Sequence, residues 1–450
     1  MRFEKDGKRF QLRGVNLGSW LNIEDFMLGL EGTDWQIRRA MQRHLGSETT
    51  AAFFAAYERH FVTEADLREI ARLGFNSVRV PFNYRYFESD AAPGEYRQAT
   101  FELLDRLYDW CAEANLWVLL DYHAAPRGQN ATPPADNPTG YADLWKSAHA
   151  QDRVVELWKA LARRYAKHPA NLGYNLLNEP QTNLPNELSE DRQVAAMNAL
   201  NHRLIREIRA IDPDGWIVIE GPVRQCGGND KLDDALFEDP RTAATFHHYP
   251  LFENSLNLPG PRLPENDDVA EHTAYIVEQT RAEQAMMERT QRPMLLGEYG
   301  LSARWNPEQA LAIFQAQTDA AEQCGFGWMI WTWKDIWRLG LVTPREDTPW
   351  FQFTRGEKML ARVQALGSKL GSFFDGVADD LPETAADREL RGMAMDDMRR
   401  GLNRLILDAQ IRELAARPTA EILAMPEAFK LENCRLREHY YDAVKPYLAR

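Results

Sequence analysis

Two glutamates in this chain each follow a short apolar run that predicts a buried strand. Glu179 lies in the stretch YNLLNEP and Glu298 lies in the stretch MLLGEYG. Burying an ionised carboxylate costs several kcal/mol unless it is paired, so both positions are poor choices for stability. Glycoside cleavage needs two such groups, one as a protonated acid and the other as an ionised nucleophile or base. For either glutamate alone, a helix cap or a salt bridge is an equally good explanation.

Other predicted strands also end in polar or aromatic residues. These residues are Arg79, His123, Asn178, His247, His248, Tyr249 and Trp331. An arginine can donate to a carboxylate and hold it ionised, and an asparagine can donate to a sugar 2-hydroxyl. Each residue alone is as consistent with a hydrogen-bonded core position. Their common place at strand ends predicts one shared pocket.

Eight apolar strand-like runs alternate with helix-length amphipathic runs. The predicted strands are Leu12–Leu17, Phe75–Pro81, Trp117–His123, Leu172–Asn178, Trp216–Gly221, Ala243–Tyr249, Met294–Glu298 and Phe326–Trp331. The predicted helices between them are Glu64–Leu73, Phe101–Ala114, Asp152–Lys167, Asp191–Ile211, Asn229–Phe237, Val269–Arg289 and Pro307–Gln323. This alternation predicts an α/β fold, a (β/α)8 TIM barrel, with its active site at the C-terminal ends of the strands. An open doubly wound sheet is the alternative, but the glycine-rich phosphate loop of such folds is missing.

Three longer segments interrupt the repeating units. An insertion with helix-like pieces at Asp34–His44 and Glu48–His60 separates the first strand from the first helix. Long loops are predicted at Ala124–Asp143 and Pro250–Glu265. Long loops in compact domains are often functional, and in a barrel these would rise on the C-terminal face.

The last hundred residues differ from the rest of the chain. Residues 351–450 contain no tryptophan, are rich in Ala, Leu, Arg and Glu, and have a polar break near Gly376–Thr384. We therefore predict a barrel over residues 1–350 and a helical extension over residues 351–450 that packs on it. An interface with a partner or a second copy is the alternative role for the extension.

The composition narrows the class of partner. The 450 residues carry a formal net charge of −14 and no basic block, which argues against binding to nucleic acid. No apolar run is long enough for a membrane span, and residues 1–8 do not resemble a signal peptide, so a cytoplasmic protein is expected unless a leader was removed. None of the four cysteines has metal-ligand spacing, and no metal or cofactor is predicted. The oligomeric state is left open.

Several of these stretches together resemble glycoside hydrolase family 5, a family of retaining (β/α)8 glycosidases, over about residues 11–335. The similar stretches are RGVNLGSWL (13–21), DYHAAP (121–126), GQN (128–130), the Asn-Glu-Pro run, HHY (247–249), Gly-Glu before an aromatic residue, and Trp-x-Trp-Lys (331–334). They look closest to the exo-β-1,3-glucanase and β-glucosidase branch.

The resemblance implies a role for each candidate residue. Glu179 would be the acid/base and Glu298 the nucleophile. Arg79, His123, Asn178, His247 and Tyr249 would support them, and Trp331 would form the floor of the −1 subsite; Glu24, Asp136 and Asn137 would bind the outer hydroxyls of a terminal sugar. His247 is preferred to His248 because the family pattern is His-x-Tyr.

Two stretches differ from the branch, at Phe82–Arg85 and at Asp335–Trp337, and both border the aglycone side. The expected function is a retaining β-glycosidase that hydrolyses β-glucosidic bonds, with exo action. A glycolipid or another small β-glucoside as substrate, or an endo-β-glucanase, are the alternatives. A barrel that binds carbohydrate without cleaving it is disfavoured because both glutamates are present. A metal-dependent barrel hydrolase is disfavoured because the first strand lacks His-x-His.

Overall fold

The computed structural model describes residues 1–5, 7–182, 187–222, 228–249, 269–300, 307–336, 338–356, 359 and 385–448. For residues 269–272, 307–309, 385–396 and 399 it describes the backbone alone. The predicted loop at Pro250–Glu265 and the predicted break at Gly376–Thr384 lie outside the described residues.

Eight parallel strands close into a barrel. After a hairpin of β1 (Phe3–Lys5) and β2 (Lys8–Phe10), the barrel strands are β3 (Arg13–Asn16), β4 (Ser77–Asn83), β5 (Trp117–Ala124), β6 (Asn171–Asn175), β7 (Trp216–Glu220), β8 (Thr242–His247), β9 (Met294–Tyr299) and β10 (Gly327–Ile330). Each strand pairs with the next in chain order, and β10 pairs with β3 to complete the ring. The predicted (β/α)8 barrel is confirmed, and each of the eight predicted runs supplies one of its strands.

Helices surround the barrel. Up to residue 355 they are Asp25–Leu28, Asp34–Leu45, Ser47–Phe61, Glu64–Arg72, Tyr84–Phe87, Gln98–Glu113, Ala148–Tyr165, Glu190–Arg209, Val269–Ala282, Gln284–Thr290, Pro307–Cys324 and Pro349–Arg355. Both helices of the insertion form as predicted. The helix at Glu64 begins with a capping box in which the Thr63 hydroxyl accepts from the Asp66 amide and the Asp66 carboxylate accepts from the Thr63 amide.

Two helix predictions are wrong in detail. Asn229–Phe237 forms two short 3-10 turns, Asn229–Lys231 and Asp234–Phe237, because the Asp233 side chain accepts from the Ala235 amide and starts a new turn. The predicted helix Val269–Arg289 is interrupted at Glu283, whose buried carboxylate accepts from Asn229.

Along β5 the side chains alternate between the two faces of the sheet. Val118 and Leu120 belong to the main core between barrel and helices. Leu119 belongs to a separate apolar cluster with residues of the N-terminal hairpin and of other strands. Asp121 and His123 follow Leu119 at every second residue of β5, so their side chains lie on the same face as that of Leu119. The interior of the barrel is therefore apolar near the N-terminal ends of the strands and polar near their C-terminal ends.

The C-terminal residues make close contacts with the barrel. Residues 385–448 form the helices Ala385–Ala415, Thr419–Ala424 and Glu438–Leu448 with short 3-10 turns and one strand between them. That strand, Cys434–Leu436, pairs antiparallel with Val342–Pro344. These contacts agree with an extension that packs on the barrel, while the proposed boundary at residue 350 stays a prediction.

A buried lysine joins this extension to the barrel. Lys334 follows the eighth barrel strand, and its ammonium donates to the carbonyls of Phe61 and Phe429 at 2.8 Å each. It also forms an ion pair with Asp66 at 2.6 Å.

Among the described residues, no helix combines the length and the apolar character that crossing a membrane requires.

Candidate active site

The two glutamates meet at the C-terminal end of the barrel. Glu298 is part of β9, and Glu179 lies four residues beyond β6 with a positive φ of 42°. A carboxylate oxygen of each, together with a ring nitrogen of His247, lies within 4.8 Å of the others. Both glutamates are buried. The structure therefore brings the two sequence-predicted carboxyl groups into one site.

Three side chains contact the carboxylate of Glu298. Arg79 Nη1 donates to Oε1 at 2.6 Å, and the Tyr249 hydroxyl donates to Oε2 at 3.0 Å. His247 Nδ1 lies 3.5 Å from Oε2. A buried cation and a hydroxyl donor both favour the ionised form of the carboxyl group, which is the form that a nucleophile needs.

The guanidinium of Arg79 is completely buried and uses its donors on several partners. It donates to the side-chain oxygens of Asn16, Asn175 and Asn178 at 2.7 to 3.0 Å, and it pairs with Asp121 at 3.0 Å. Burial by itself lowers the pKa of Arg79, but the charges of Asp121 and of neighbouring glutamates raise it above its usual value. Arg79 therefore stays charged in the barrel interior.

His247 lies beside Glu179. The Nδ1 atom of His247 is 3.0 Å from Glu179 Oε1. Burial lowers the pKa of His247, but nearby carboxylates outweigh this effect and raise it. The neighbouring His248 contacts Thr280 instead, and burial lowers its pKa to about 4. Of the two adjacent histidines, His247 is the one that the structure places between the glutamates.

A third group of residues lies beside this centre. His123 is stacked on Trp331, with ring centroids 5.3 Å apart, and lies 2.7 Å from Asp121 and 3.3 Å from Glu24. Burial lowers the pKa of His123, but Asp121 and Glu24 raise it to about 10. Burial raises the pKa of Glu24 to about 7. Glu24 thus forms an ion pair with His123.

Asp136 and Asn137 have other partners. Asp136 accepts from the Trp35 amide at 2.8 Å and from Asn83 at 2.9 Å, and it pairs with Arg85 at 3.1 Å. Asn137 donates to backbone carbonyls of its own loop at 2.6 and 2.8 Å. The structure thus assigns both side chains to holding the loop and the insertion together, and their part in sugar binding stays a prediction.

Several residues of the site were given no role from the sequence. Gln129 and Asn130 donate to the carbonyls of Asn178 and Glu179, at 3.0 and 2.9 Å, and so hold the backbone that carries the acid/base candidate. Glu220 ends β7, and its carboxylate lies 3.5 Å from His247 Nε2. A charged residue at the end of an apolar strand was the signal that could have identified Glu220.

The ligand atoms of Glu179, His247 and Glu298 are close enough to one another to suggest a metal site. The guanidinium of Arg79 already neutralises Glu298 at 2.6 Å and would repel a cation placed there. The charge of Arg79 therefore disfavours a metal cation beside Glu298.

A closed (β/α)8 barrel with two glutamates at its C-terminal face defines the class of barrel glycoside hydrolases. The profile of the family described as Cellulase (glycosyl hydrolase family 5) matches residues 39–336. The chain belongs to glycosyl hydrolase family 5, as the sequence resemblance predicted, and it is a glycoside hydrolase.

Characterised and annotated relatives differ in the activity that their names give. A Beta-xylosidase of Phanerodontia chrysosporium is 29% identical over 97% of this chain and 94% of its own length. A Probable glucan 1,3-beta-glucosidase A of Aspergillus fumigatus is 25% identical over 72% of this chain and 82% of its own length. Endoglucanase C of Acetivibrio thermocellus is 33% identical over 43% of this chain and 51% of its own length. The family is thus clear, whereas these names include both exo- and endo-acting enzymes.

Solved structures share the fold. The endoglucanase Cel5A of Thermotoga maritima superposes with a TM-score of 0.52 at 19% identity, over 71% of this chain and 89% of that one. A structure described as a glycoside hydrolase gives a TM-score of 0.54 at 20% identity, over 72% and 90%. At these identities the likeness concerns the barrel alone.

Proposed function

We propose that the protein is a retaining β-glycosidase in which Glu298 is the nucleophile and Glu179 the acid/base. The observation that carries the proposal is the spacing of the two carboxyl groups, which have oxygens within 4.8 Å of each other. Retaining enzymes hold their carboxyl groups about 5–5.5 Å apart, whereas inverting enzymes leave about 6.5–9.5 Å for a water molecule.

The contacts of the two glutamates support different roles. Glu298 has a buried arginine and a tyrosine hydroxyl on its two oxygens, and both hold it ionised for attack on the anomeric carbon. Glu179 lies 3.0 Å from His247 Nδ1, so a titratable ring stands beside it and can exchange a proton with it. In this role Glu179 carries a proton to the leaving oxygen in the first step and removes one from water in the second.

Exo action on a terminal β-glucoside is the more specific part of the proposal. Glu24 supports it, because its buried carboxyl group pairs with His123, and the ring of His123 is stacked on Trp331, the expected floor of the −1 subsite. A carboxylate there would bind sugar hydroxyls through charge-assisted hydrogen bonds. The relative named glucan 1,3-beta-glucosidase also supports this substrate class.

A β-xyloside is the second candidate substrate. It is favoured by the relative named Beta-xylosidase, whose similarity extends over 97% of this chain. A xyloside lacks the hydroxymethyl group of a glucoside, so the two substrates differ only at one edge of the sugar. A panel of aryl β-glucosides, aryl β-xylosides and β-linked disaccharides, with kcat/KM measured for each, decides between them and between exo and endo action.

The roles of the glutamates are tested with two variants and two leaving groups. Glu298→Ala should be inactive on every substrate, because no other group can form the covalent intermediate. Glu179→Ala should keep its first step on a dinitrophenyl glycoside, which needs no acid, and added azide should then yield the β-glycosyl azide. Identical behaviour of the two variants would overturn the assignment.

A further inference from the structure

A third buried carboxyl group belongs to the site, and the two-glutamate mechanism does not use it. Glu220 ends β7 and is almost fully buried. Its Oε1 lies 3.5 Å from His247 Nε2, and the other ring nitrogen of His247 lies 3.0 Å from Glu179. The imidazole is therefore placed between the carboxyl groups of Glu220 and Glu179.

Charged groups on several strands face this trio. Among the described residues, those that act on Glu220 are His247 on β8, Arg79 on β4 and both the backbone amide and the carboxyl group of Glu179. Within the same described part of the chain, Glu220, Glu179 and Glu298 on β9 act on His247. Arg79 itself pairs directly with Glu298 and Asp121.

We propose that Glu220 acts through His247 to hold the proton that Glu179 delivers, which makes Glu220 a positioning residue for proton transfer. The inference rests on the proposed role of Glu179 as acid/base. The carboxyl group of Glu220 lies at ion-pair distance from Nε2 without a hydrogen bond to it, so it acts on the imidazole through its charge. That charge, when present, favours a proton on the ring, whose Nδ1 faces Glu179.

The electrostatics of Glu220 agree with this role. Burial raises the pKa of Glu220 to about 8, so its ionisation falls in the range in which an acid/base catalyst must keep a proton. Ionisable groups this close titrate as a unit. Once Glu220 is ionised, its negative charge makes the last catalytic proton harder to remove, and neutral glutamine in its place lets that proton leave at lower pH.

The test is the pH dependence of kcat/KM for the parent and for Glu220→Gln. The alkaline limb should move to lower pH by about one unit, while the acid limb stays in place. The loss should be about ten- to a hundredfold on an alkyl glycoside and only a few-fold on a dinitrophenyl glycoside, because the latter needs no proton. Unchanged limbs, or equal losses on the two substrates, would overturn the proposal.

A matched control comes from the other end of the barrel. Asp212 is also buried, accepts from the Tyr174 hydroxyl at 2.6 Å, and precedes β7, whereas Glu220 ends it. Asp212→Asn should leave both pH limbs where they are. A shift equal to that of Glu220→Gln would show a general effect of losing a buried carboxyl group and would refute the specific role.

Action through His247 is tested by combining changes. In a His247→Gln background, Glu220→Gln should cost little more than His247→Gln alone, and fully additive losses would refute the link. If Glu220→Gln does not fold, Glu220→Asp replaces it, since the shorter side chain withdraws the carboxylate from Nε2 and must lower the same limb. If Glu179→Ala shows no leaving-group dependence, the proposed function fails; if only Glu220→Gln shows none, the further inference alone fails.

Discussion

The two ends of the barrel are built from the same eight strands but have opposite interiors. At the N-terminal end, Leu119 packs with Leu12, Leu172 and Leu295 in an apolar cluster. At the C-terminal end the interior holds Arg79, Asp121, His123, Glu298 and His247, all buried. On the inner face of β5 the side chains change from the apolar Leu119 to the polar Asp121 and His123 within five residues.

This difference separates what stabilises the protein from what makes it reactive. Apolar burial needs no partner, whereas each buried charge at the other end depends on a specific neighbour. A change at the N-terminal end should therefore affect stability more than activity, and a change at the C-terminal end should do the reverse or affect both. The following predictions compare the two ends, in order of expected effect.

Removal of the buried arginine is the largest change. Arg79→Met should lower kcat by about 10²–10³, because Glu298 loses the cation that keeps it ionised. It should also destabilise the fold by about 3–5 kcal/mol, since the buried Glu298 loses its arginine and the buried Asp121 keeps only His123 as a cationic partner. Steady-state kinetics and denaturant unfolding measure the two effects. Parental activity in this variant would contradict the assigned role of Arg79.

The matching change at the other end is Leu119→Ala, on the same strand as Asp121 and His123. It should lower the free energy of unfolding by about 2–5 kcal/mol, because it leaves a cavity in a fully buried cluster. At a temperature where the variant is folded, its kcat should equal that of the parent. A large loss of kcat in the folded variant would show that the two ends are not independent.

A change at Glu24 tests whether this buried carboxyl group at the polar end contacts the substrate. Glu24→Gln should lower kcat/KM on an aryl β-glucoside by about ten- to a hundredfold, the effect of losing one charge-assisted hydrogen bond of about 1.5–3 kcal/mol. Stability should change little, because glutamine can still accept from His123. An unchanged kcat/KM would remove the support that Glu24 gives to exo action.

His123 provides the most specific comparison, a pH dependence of stability. Its pKa is about 10 in the folded protein and about 6.5 in an unfolded chain. The resulting stabilisation is complete below about pH 6.5 and is lost as the pH rises through about 10. The free energy of unfolding should thus fall more steeply between pH 6.5 and 9.5 in the parent than in His123→Gln. Glu24 has a pKa of about 7 in the folded protein, so its effect on stability falls mostly below this pH range. Equal slopes would contradict a charged His123.

The sequence predicted the elements better than the contacts. All eight barrel strands could be predicted because short apolar runs that alternate with amphipathic helices are typical of an α/β fold with a parallel sheet. The break at Glu283 could not, because it depends on a contact between Glu283 and the distant Asn229. The helix predicted to begin at Asp152 begins at Ala148, because the Ser147 side chain accepts from the Ala150 amide and caps it there.

The same reasoning applies to the site. Residues at strand ends, such as Arg79 and Glu298, could be predicted because parallel strands bring their C-terminal ends together. Asp136 could not be placed in this way, since its partners Trp35 and Asn83 come from the insertion and from the end of β4. Glu220 also stands at the end of an apolar strand, and its 3.5 Å distance to His247 Nε2 shows that it belongs to the site.

The stereochemistry of the first product tests the central claim most directly. When an aryl β-glycoside that the enzyme cleaves is followed by ¹H NMR from the first turnovers, double displacement through Glu298 predicts that the β-anomer of the free sugar is formed first, with the α-anomer growing later by mutarotation. Initial release of the α-anomer would mean inversion, and it would contradict the retaining mechanism inferred from the spacing of Glu179 and Glu298.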